Sequence, residues 1–369
     1  MRSSIFCCAM AIGVVACAPA PTHASPCDSL AKLDRSGTTI KSASVVAAGT
    51  FRSPTARRRT SAEIFNAFDR LPAFCRLQAM ISASNDSRIN VEVWLPINGW
   101  NGLYLGVGNG GYAGSIAYPR LGEAVNSGYA SASTDTGHEG KSTDTEWANG
   151  HPEKKIDFDY RAIHEMTLLA KAAIYAFYGK TIRNSYFASC SNGGRQGLME
   201  AERYPADYDG VMSGAPAFRW GFDTFLSGQL DAFRNRGGKL VIYHGSKDRP
   251  ESTIDYYDRL VSRLGKKSVD DFARLYVVSG MGHCGSGDVP NDFGQWLRPN
   301  ADPQHSMLSA LEGWVEKGVA PGSIIATQWR IDGDTASGLV RTRPLCPYPE
   351  QARFNGSGNP NDAINYSCR

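Results

Sequence analysis

Two dipeptides constrain this chain more than anything else in it. Cys190-Ser191 and His283-Cys284 set a cysteine beside each of two residue types that can act as nucleophile and base. The serine stands in Tyr186-Phe187-Ala188-Ser189-Cys190-Ser191-Asn192-Gly193-Gly194-Arg195-Gln196-Gly197, an apolar run that gives way to small residues and then to a helix-like stretch. A strand, a sharp turn admitting only small neighbours and a helix starting beneath the exposed hydroxyl make a nucleophile elbow. A Cys190–Cys284 bond would tie nucleophile and base through their neighbours, and chain entropy puts such a closure on the order of 4 kcal/mol. Two other readings stay open at this level: two ordinary buried thiols, or a Cys190 thiolate with His283 as its base.

The N-terminus bears on that choice. Met1-Arg2 precedes an uncharged stretch from Ile5 to Ala18, then Pro19-Ala20-Pro21-Thr22-His23-Ala24-Ser25. A positive start, a short apolar core and small residues before a cut after Ala24 describe a signal peptide over residues 1–24, too short for a comfortable membrane span. Val14-Val15-Ala16-Cys17 also resembles a lipobox, which would leave the protein lipid-anchored at Cys17. Both routes imply export, to the periplasm or the medium. Removal of the leader discards Cys7, Cys8 and Cys17 and leaves Cys27, Cys75, Cys190, Cys284, Cys346 and Cys368, an even set as oxidised exported proteins carry. Six cysteines allow fifteen pairings; their neighbours suggest Cys27 with Cys75, Cys190 with Cys284, and Cys346 with Cys368.

Residues 25–369 need no more than one domain. The net charge of +3 is small, and the triplet Arg57-Arg58-Arg59 reads as a solvated loop, so no nucleic-acid partner is expected. There is no second hydrophobic span and no repeat. Ile89-Asn90-Val91-Glu92-Val93-Trp94-Leu95-Pro96 alternates like a half-buried strand, and Gly102–Val107 and Tyr129–Thr134 are short strands ending in polar, glycine-containing turns. Apolar positions recur at helical spacing from Tyr160 to Tyr178, closed by Gly179. Tyr186–Ser189, Lys239–Tyr243 and Leu275–Val278 are continuous apolar runs of the buried parallel kind. Strands alternating with helices predict an α/β fold, a mostly parallel sheet covered on both faces.

In such a sheet functional residues gather at the carboxyl ends of strands. Ser191 follows one strand, Asp248 follows Lys239–Tyr243, and His283 follows Leu275–Val278, the chain order Ser, Asp, His of the α/β-hydrolases. Asp255 and Asp258 are rival acids, but their neighbours look helical and exposed. Gly110 and Gly111, in a glycine-rich turn after an early strand, and the amide of Asn192 are the candidate oxyanion donors.

The chain resembles the tannase and feruloyl esterase family of serine esterases. The resemblance is carried by Gly108-Asn109-Gly110-Gly111-Tyr112-Ala113-Gly114, Thr134-Asp135-Thr136-Gly137-His138, Tyr160-Arg161-Ala162-Ile163-His164, the Cys190–Gly197 segment, Tyr243-His244-Gly245, Gly282-His283-Cys284 and the tail Arg343-Pro344-Leu345-Cys346-Pro347-Tyr348-Pro349 ending in Cys368. It implies an α/β-hydrolase, with Ser191 as nucleophile, Asp248 as acid, His283 as base and a Cys190–Cys284 bond. It further implies hydrolysis of phenolic-acid esters, feruloyl or galloyl in type, without a cofactor.

Two departures stand out. The residue two before the nucleophile is Ser189, where the family usually has glycine. The long lid that family members carry before the acid strand, often with a structural calcium, is reduced here to residues 218–238, so an open site with no metal is expected. Phe218 and Trp220 in that remnant are candidates to stack on an aromatic group. His138 is a candidate binding residue, and His138 and His164 have the alternative role of supporting their loop. The substrate is then a small-molecule or polymer-bound ester. An open-site polyester or general short-acyl esterase is the alternative activity, and a catalytically silent ligand-binding protein is the alternative of another class.

Overall fold

The alternation of apolar residues along each strand decides the architecture. In the strand Lys239–Gly245, Leu240 and Ile242 point into one buried cluster and Val241 and Tyr243 into another, as period-two geometry requires. The same split separates Val93 from Trp94 and Phe187 from Tyr186. A sheet whose two faces are both apolar must be covered on both. Here the helix Ala162–Tyr178 packs with the first cluster, and the helices Tyr118–Asn126 and Met307–Lys317 with the second.

The computed structural model describes residues 26–54, 68–296 and 302–369. The segment 1–24, with Cys7, Cys8 and Cys17, and the triplet Arg57-Arg58-Arg59 lie outside the described residues. Nine strands form the main sheet: β1 (Thr38–Val46), β2 (Phe74–Ile81), β3 (Ile89–Pro96), β4 (Leu103–Gly106), β5 (Ala130–Thr134), β6 (Asn184–Cys190), β7 (Gly210–Gly214), β8 (Lys239–Gly245) and β9 (Ala273–Val278). Their order is β1-β2-β3-β5-β4-β6-β7-β8-β9. The pairs from β1 to β3, and β3 with β5, are antiparallel, and every pair from β5 onward is parallel. The expected α/β-hydrolase fold, with its mostly parallel sheet, is what forms; the antiparallel leading edge of β1, β2 and β3 is an addition to it, since strand pairing direction leaves no mark in the local sequence. Two further hairpins, β10 (Ile324–Ile331) with β11 (Asp334–Leu345) and β12 (Ala352–Phe354) with β13 (Tyr366–Cys368), follow the sheet.

The helix predicted from Tyr160 begins as a π-turn over Asp157–Arg161 and runs regularly over Ala162–Tyr178, where Gly179 at φ 63° ends it. Asp255 and Asp258 lie exposed on the helix Glu251–Leu264, and neither lines the cleft at the ends of the parallel strands. Three disulfides join Cys27 to Cys75, Cys190 to Cys284 and Cys346 to Cys368. The first is buried among the core side chains and closes 48 residues of chain. Replacing both Cys27 and Cys75 by serine should therefore cost about 4 kcal/mol, read as a fall in Tm of roughly 5–15 °C with little change in kcat. An unchanged Tm would show that the bond constrains nothing the core does not already hold.

Candidate active site

β6, an interior strand, delivers Cys190 to the carboxyl-terminal end of the sheet, and the chain turns at Ser191 with φ 65° and ψ −127° before the helix Asn192–Arg203 begins. A residue with a Cβ is held in such a conformation at a cost of about 1–3 kcal/mol, so the surroundings must impose it. They do so through three backbone bonds. Ser191 N–H donates to the Gly214 carbonyl at 2.9 Å, and the Ser191 carbonyl accepts from Arg195 and Ala217 at 3.1 Å each. Ser189 is tolerated here for a specific reason: a Cβ on Gly193 would collide with the Ser189 hydroxyl, so the missing side chain at 193 makes room for the extra one at 189.

Three of the four other non-glycine residues at positive φ among the described residues, Ala215 (φ 36°), Arg249 (φ 54°) and Cys284 (φ 61°), line the same cleft, while the fourth, Thr136 (φ 58°), lies beyond β5 and does not. Cys190 and Cys284 are joined with Cα atoms 5.9 Å apart, so Cys190 carries no thiol, and its reading as a nucleophile is removed.

The bond draws the His283 loop over the elbow. His283 Nε2 lies 2.9 Å from Ser191 Oγ, and Nδ1 lies 2.6 Å from Asp248 Oδ2. A serine hydroxyl donating to Nε2 and an Nδ1–H donating to the carboxylate form a relay that can deprotonate the hydroxyl as it attacks. His244, the last residue but one of β8, supports the acid from behind. Its Nε2 is 3.0 Å from the Asp248 carbonyl and 3.2 Å from Oδ2, and its Nδ1 is 2.7 Å from Thr253 Oγ1. Burial lowers the pKa of His244, which keeps the ring neutral near pH 7. Its single proton then faces Asp248, and the Thr253 hydroxyl donates to Nδ1.

Ser191, Asp248 and His283 open onto a cleft of about 1230 Å³ that is also lined by Gly110, Gly111, Phe218 and Trp220. Asn192 opens the helix, so its N–H has no acceptor within that helix. The glycine turn is hung on the same helix. Gln196 Oε1 accepts the Asn109 N–H at 3.0 Å, and Asn109 Nδ2 donates to the carbonyls of Ser115 and Thr134 at 2.8 Å each. A Cβ at Gly108 would strike Gln196 Oε1, which accounts for the first glycine of the turn.

Trp220 is 38% exposed and stacks on Tyr112 with ring centres 4.6 Å apart. Phe218 reaches the cleft while packing on Tyr256 at 5.3 Å. His138 does not reach it. The ring is buried, stacked 3.6 Å from Trp147, and its Nε2 is 2.8 Å from the Tyr112 carbonyl. The expectation that His138 touches substrate is therefore corrected: burial and stacking make it a support for the Tyr112 loop.

The short connection over 218–238 has its own anchor. The Asp159 carboxylate accepts the N–H groups of Phe222 (2.9 Å), Asp223 (2.9 Å) and Thr224 (3.1 Å). The buried Arg195 bonds the carbonyls of Asp159 and Phe158 and, at 2.7 Å, Asn192 Oδ1. Asp159, Arg195, Gln196, Thr253 and His244 are the supporting residues that sequence reasoning left without roles. Arg195, Gln196 and His244 stood inside the diagnostic segments, while Asp159 and Thr253 had no local signal.

Comparison with known proteins agrees with this geometry. The family model described as tannase and feruloyl esterase matches residues 75–231 and 226–369. An uncharacterized esterase of Xanthomonas campestris pv. campestris is 27% identical, covering 93% of this chain and 91% of its own length. That alignment runs over 532 positions, well beyond the 369 residues present here, so the relative carries insertions that this chain lacks. A probable feruloyl esterase B-2 of Aspergillus terreus is 25% identical over 80% of this chain and 86% of its own. Among solved structures, feruloyl esterase B from Aspergillus oryzae superimposes with a TM-score of 0.82 at 22% identity, covering 93% of this chain and 99% of that one. The tannin acyl hydrolase from Aspergillus niger gives 0.68 at 18%, covering 90% and 92%. At these identities the superpositions establish the fold.

Gln196→Met keeps the side-chain length but leaves the Asn109 amide without its buried acceptor. The glycine turn should shift, and kcat should fall roughly 10- to 100-fold with KM nearly constant. An unchanged kcat would mean that the turn is placed without Gln196.

Proposed function

The chain belongs to the tannase and feruloyl esterase family and is a carboxylic ester hydrolase, and on that premise we propose that it is an exported serine esterase that cleaves phenolic-acid esters through an acyl-enzyme. The observation that carries the reading is the unbroken chain of contacts from Ser191 Oγ through His283 to Asp248, facing an open cleft.

In the proposed reaction Ser191 Oγ attacks the ester carbonyl while its proton passes to His283 Nε2. Asp248 holds the imidazole in the required tautomer and stabilises its cation. The N–H of Asn192 and the amides of Gly110 and Gly111 receive the negative charge that develops on the carbonyl oxygen. His283 then returns the proton to the leaving alcohol, and water repeats the sequence on the acyl-serine. The Cys190–Cys284 bond limits how far base and nucleophile can separate between these steps.

Several observations support an aromatic acyl or alcohol group in a site without a lid. The Tyr112–Trp220 stack forms a flat aromatic wall of the cleft. The family match breaks into two pieces that meet at residues 226–231, inside the short connection. The side chain of His283 is 51% exposed, as an uncovered site would leave it. That openness favours one alternative, a polyester or general short-acyl esterase. Three disulfides fit an extracellular compartment, and among the described residues no helix is long and apolar enough to cross a membrane. Export through the leader 1–24, or anchoring at Cys17, completes the reading.

Hydrolysis of methyl ferulate, methyl gallate and p-nitrophenyl acetate, each beside Ser191→Ala, tests it. Turnover of a phenolic ester should fall at least about 10³-fold in the variant. Turnover of p-nitrophenyl acetate alone would move the assignment to other esters, and absence of fluorophosphonate labelling at Ser191 would end the serine mechanism. Trp220→Ala should raise KM for methyl ferulate several-fold and leave p-nitrophenyl acetate nearly unaffected. Equal kcat/KM for the parent and Trp220→Ala on both esters would remove the stacking role.

A further inference from the structure

The helix that begins beside the nucleophile carries, near its other end, a side chain that the ester chemistry does not use. Glu200 is 1% exposed, and among the described residues no N–H, hydroxyl or ammonium donor reaches either of its carboxyl oxygens, whose close polar neighbour is the Asp207 carboxylate. Two other groups converge on it. His164 comes from the helix Ala162–Tyr178 and Asp207 from the turn before β7, and one donor atom from each of the three residues lies within 4.8 Å of the others.

The surroundings hold this cluster rigidly. His164 Nδ1 is 2.6 Å from Asp207 Oδ2, and the imidazole stacks 3.8 Å from Tyr204. Lys171 lies nearby, but its ammonium bonds the carbonyls of Asp207 (2.5 Å) and Ala206 (3.4 Å), leaving the Glu200 oxygens unbonded. A buried carboxyl that no donor reaches costs free energy, and the Asp207 carboxylate beside it adds repulsion if both ionise.

We propose that His164, Glu200 and Asp207 bind one divalent first-row cation, zinc foremost, as a structural site that clamps the nucleophile helix to the helix Ala162–Tyr178. One imidazole nitrogen with two carboxylate oxygens suits zinc or its first-row neighbours, whereas calcium and magnesium favour oxygen-only shells. Metal–ligand distances of about 2.0–2.2 Å put neighbouring donors roughly 3–4 Å apart, within reach of the present spread after small side-chain shifts. The cation takes the place of the hydrogen bond between His164 Nδ1 and Asp207, the imidazole proton moving to Nε2, and it needs both carboxyls ionised, so any proton held on the buried Glu200 carboxyl is released to solvent. Two carboxylates balance its charge, and the part-exposed His164 side chain leaves a path for entry and for a water ligand. The assignment is independent of the esterase reading.

The test is metal analysis of the purified protein, together with thermal melts of the EDTA-treated chain with and without ZnCl₂, for the parent and for Glu200→Gln. The amide can occupy the place of a neutral carboxyl but cannot replace an anionic ligand. A binding site predicts close to one zinc per parent chain, a zinc-dependent rise in Tm of several degrees, and loss of both in Glu200→Gln. Ester turnover by the folded variant should stay within about twofold of the parent. Should Glu200→Gln fail to fold, Co²⁺ titration of the EDTA-treated parent decides: visible ligand-field bands at one equivalent support the site, and their absence overturns it. No stoichiometric metal, or equal zinc response in parent and variant, overturns it as well and leaves a purely hydrogen-bonded cluster.

Discussion

The left-handed turn at Ser191 is the constraint on which the rest of the site depends. It places a hydroxyl at the carboxyl-terminal end of the sheet by holding a residue with a side chain where few such residues go, and the local sequence cannot enforce that alone. The Gly214 carbonyl on the neighbouring strand, the first turn of the helix Asn192–Arg203 and the Cys190–Cys284 bond each restrict it from a different direction. Strain at 191, 215, 249 and 284 is thus concentrated where β6, β7, β8 and β9 end, and the buried strands behind them supply the rigidity that sustains it.

Around that turn the molecule builds outward in shells that share residues. The helix after the nucleophile offers Asn192 to the turn, uses Arg195 to reach the π-turn over Asp157–Arg161, and uses Gln196 to hold the glycine turn. A single helix therefore sets the relative positions of Ser191, the glycine turn and the short connection bearing Trp220. Asp248 is treated similarly: a neutral His244 behind it and His283 in front share its oxygens, so the acid is oriented by two imidazoles while only one faces the serine.

The connection between β7 and β8 is modest. Residues 218–238 hold one short helix, Asp231–Asn235, and are fastened by Asp159 through three backbone N–H groups. That anchoring matters because an exposed connection without it would have little buried apolar surface to define its path. With it, Trp220 has a fixed neighbour in Tyr112, and the cleft has one ordered aromatic wall on an otherwise open rim.

Read alone, the sequence determined the parallel strands, the elbow, the candidate triad and the grouping of the cysteines, because each leaves a local mark: a continuous apolar run, a cluster of small residues, or a cysteine beside a reactive residue. It also marked the shortened connection, which is a matter of chain length. Only the tertiary structure decided what those marks do to one another. His138, which looked like a binding residue in a polar loop, is buried under Trp147, while His244, Gln196, Asp159 and Glu200 gained their settings from segments tens of residues away. A side chain's partners across a sheet or between helices depend on packing that brings distant segments within a few ångströms, and no local pattern of residues records that approach.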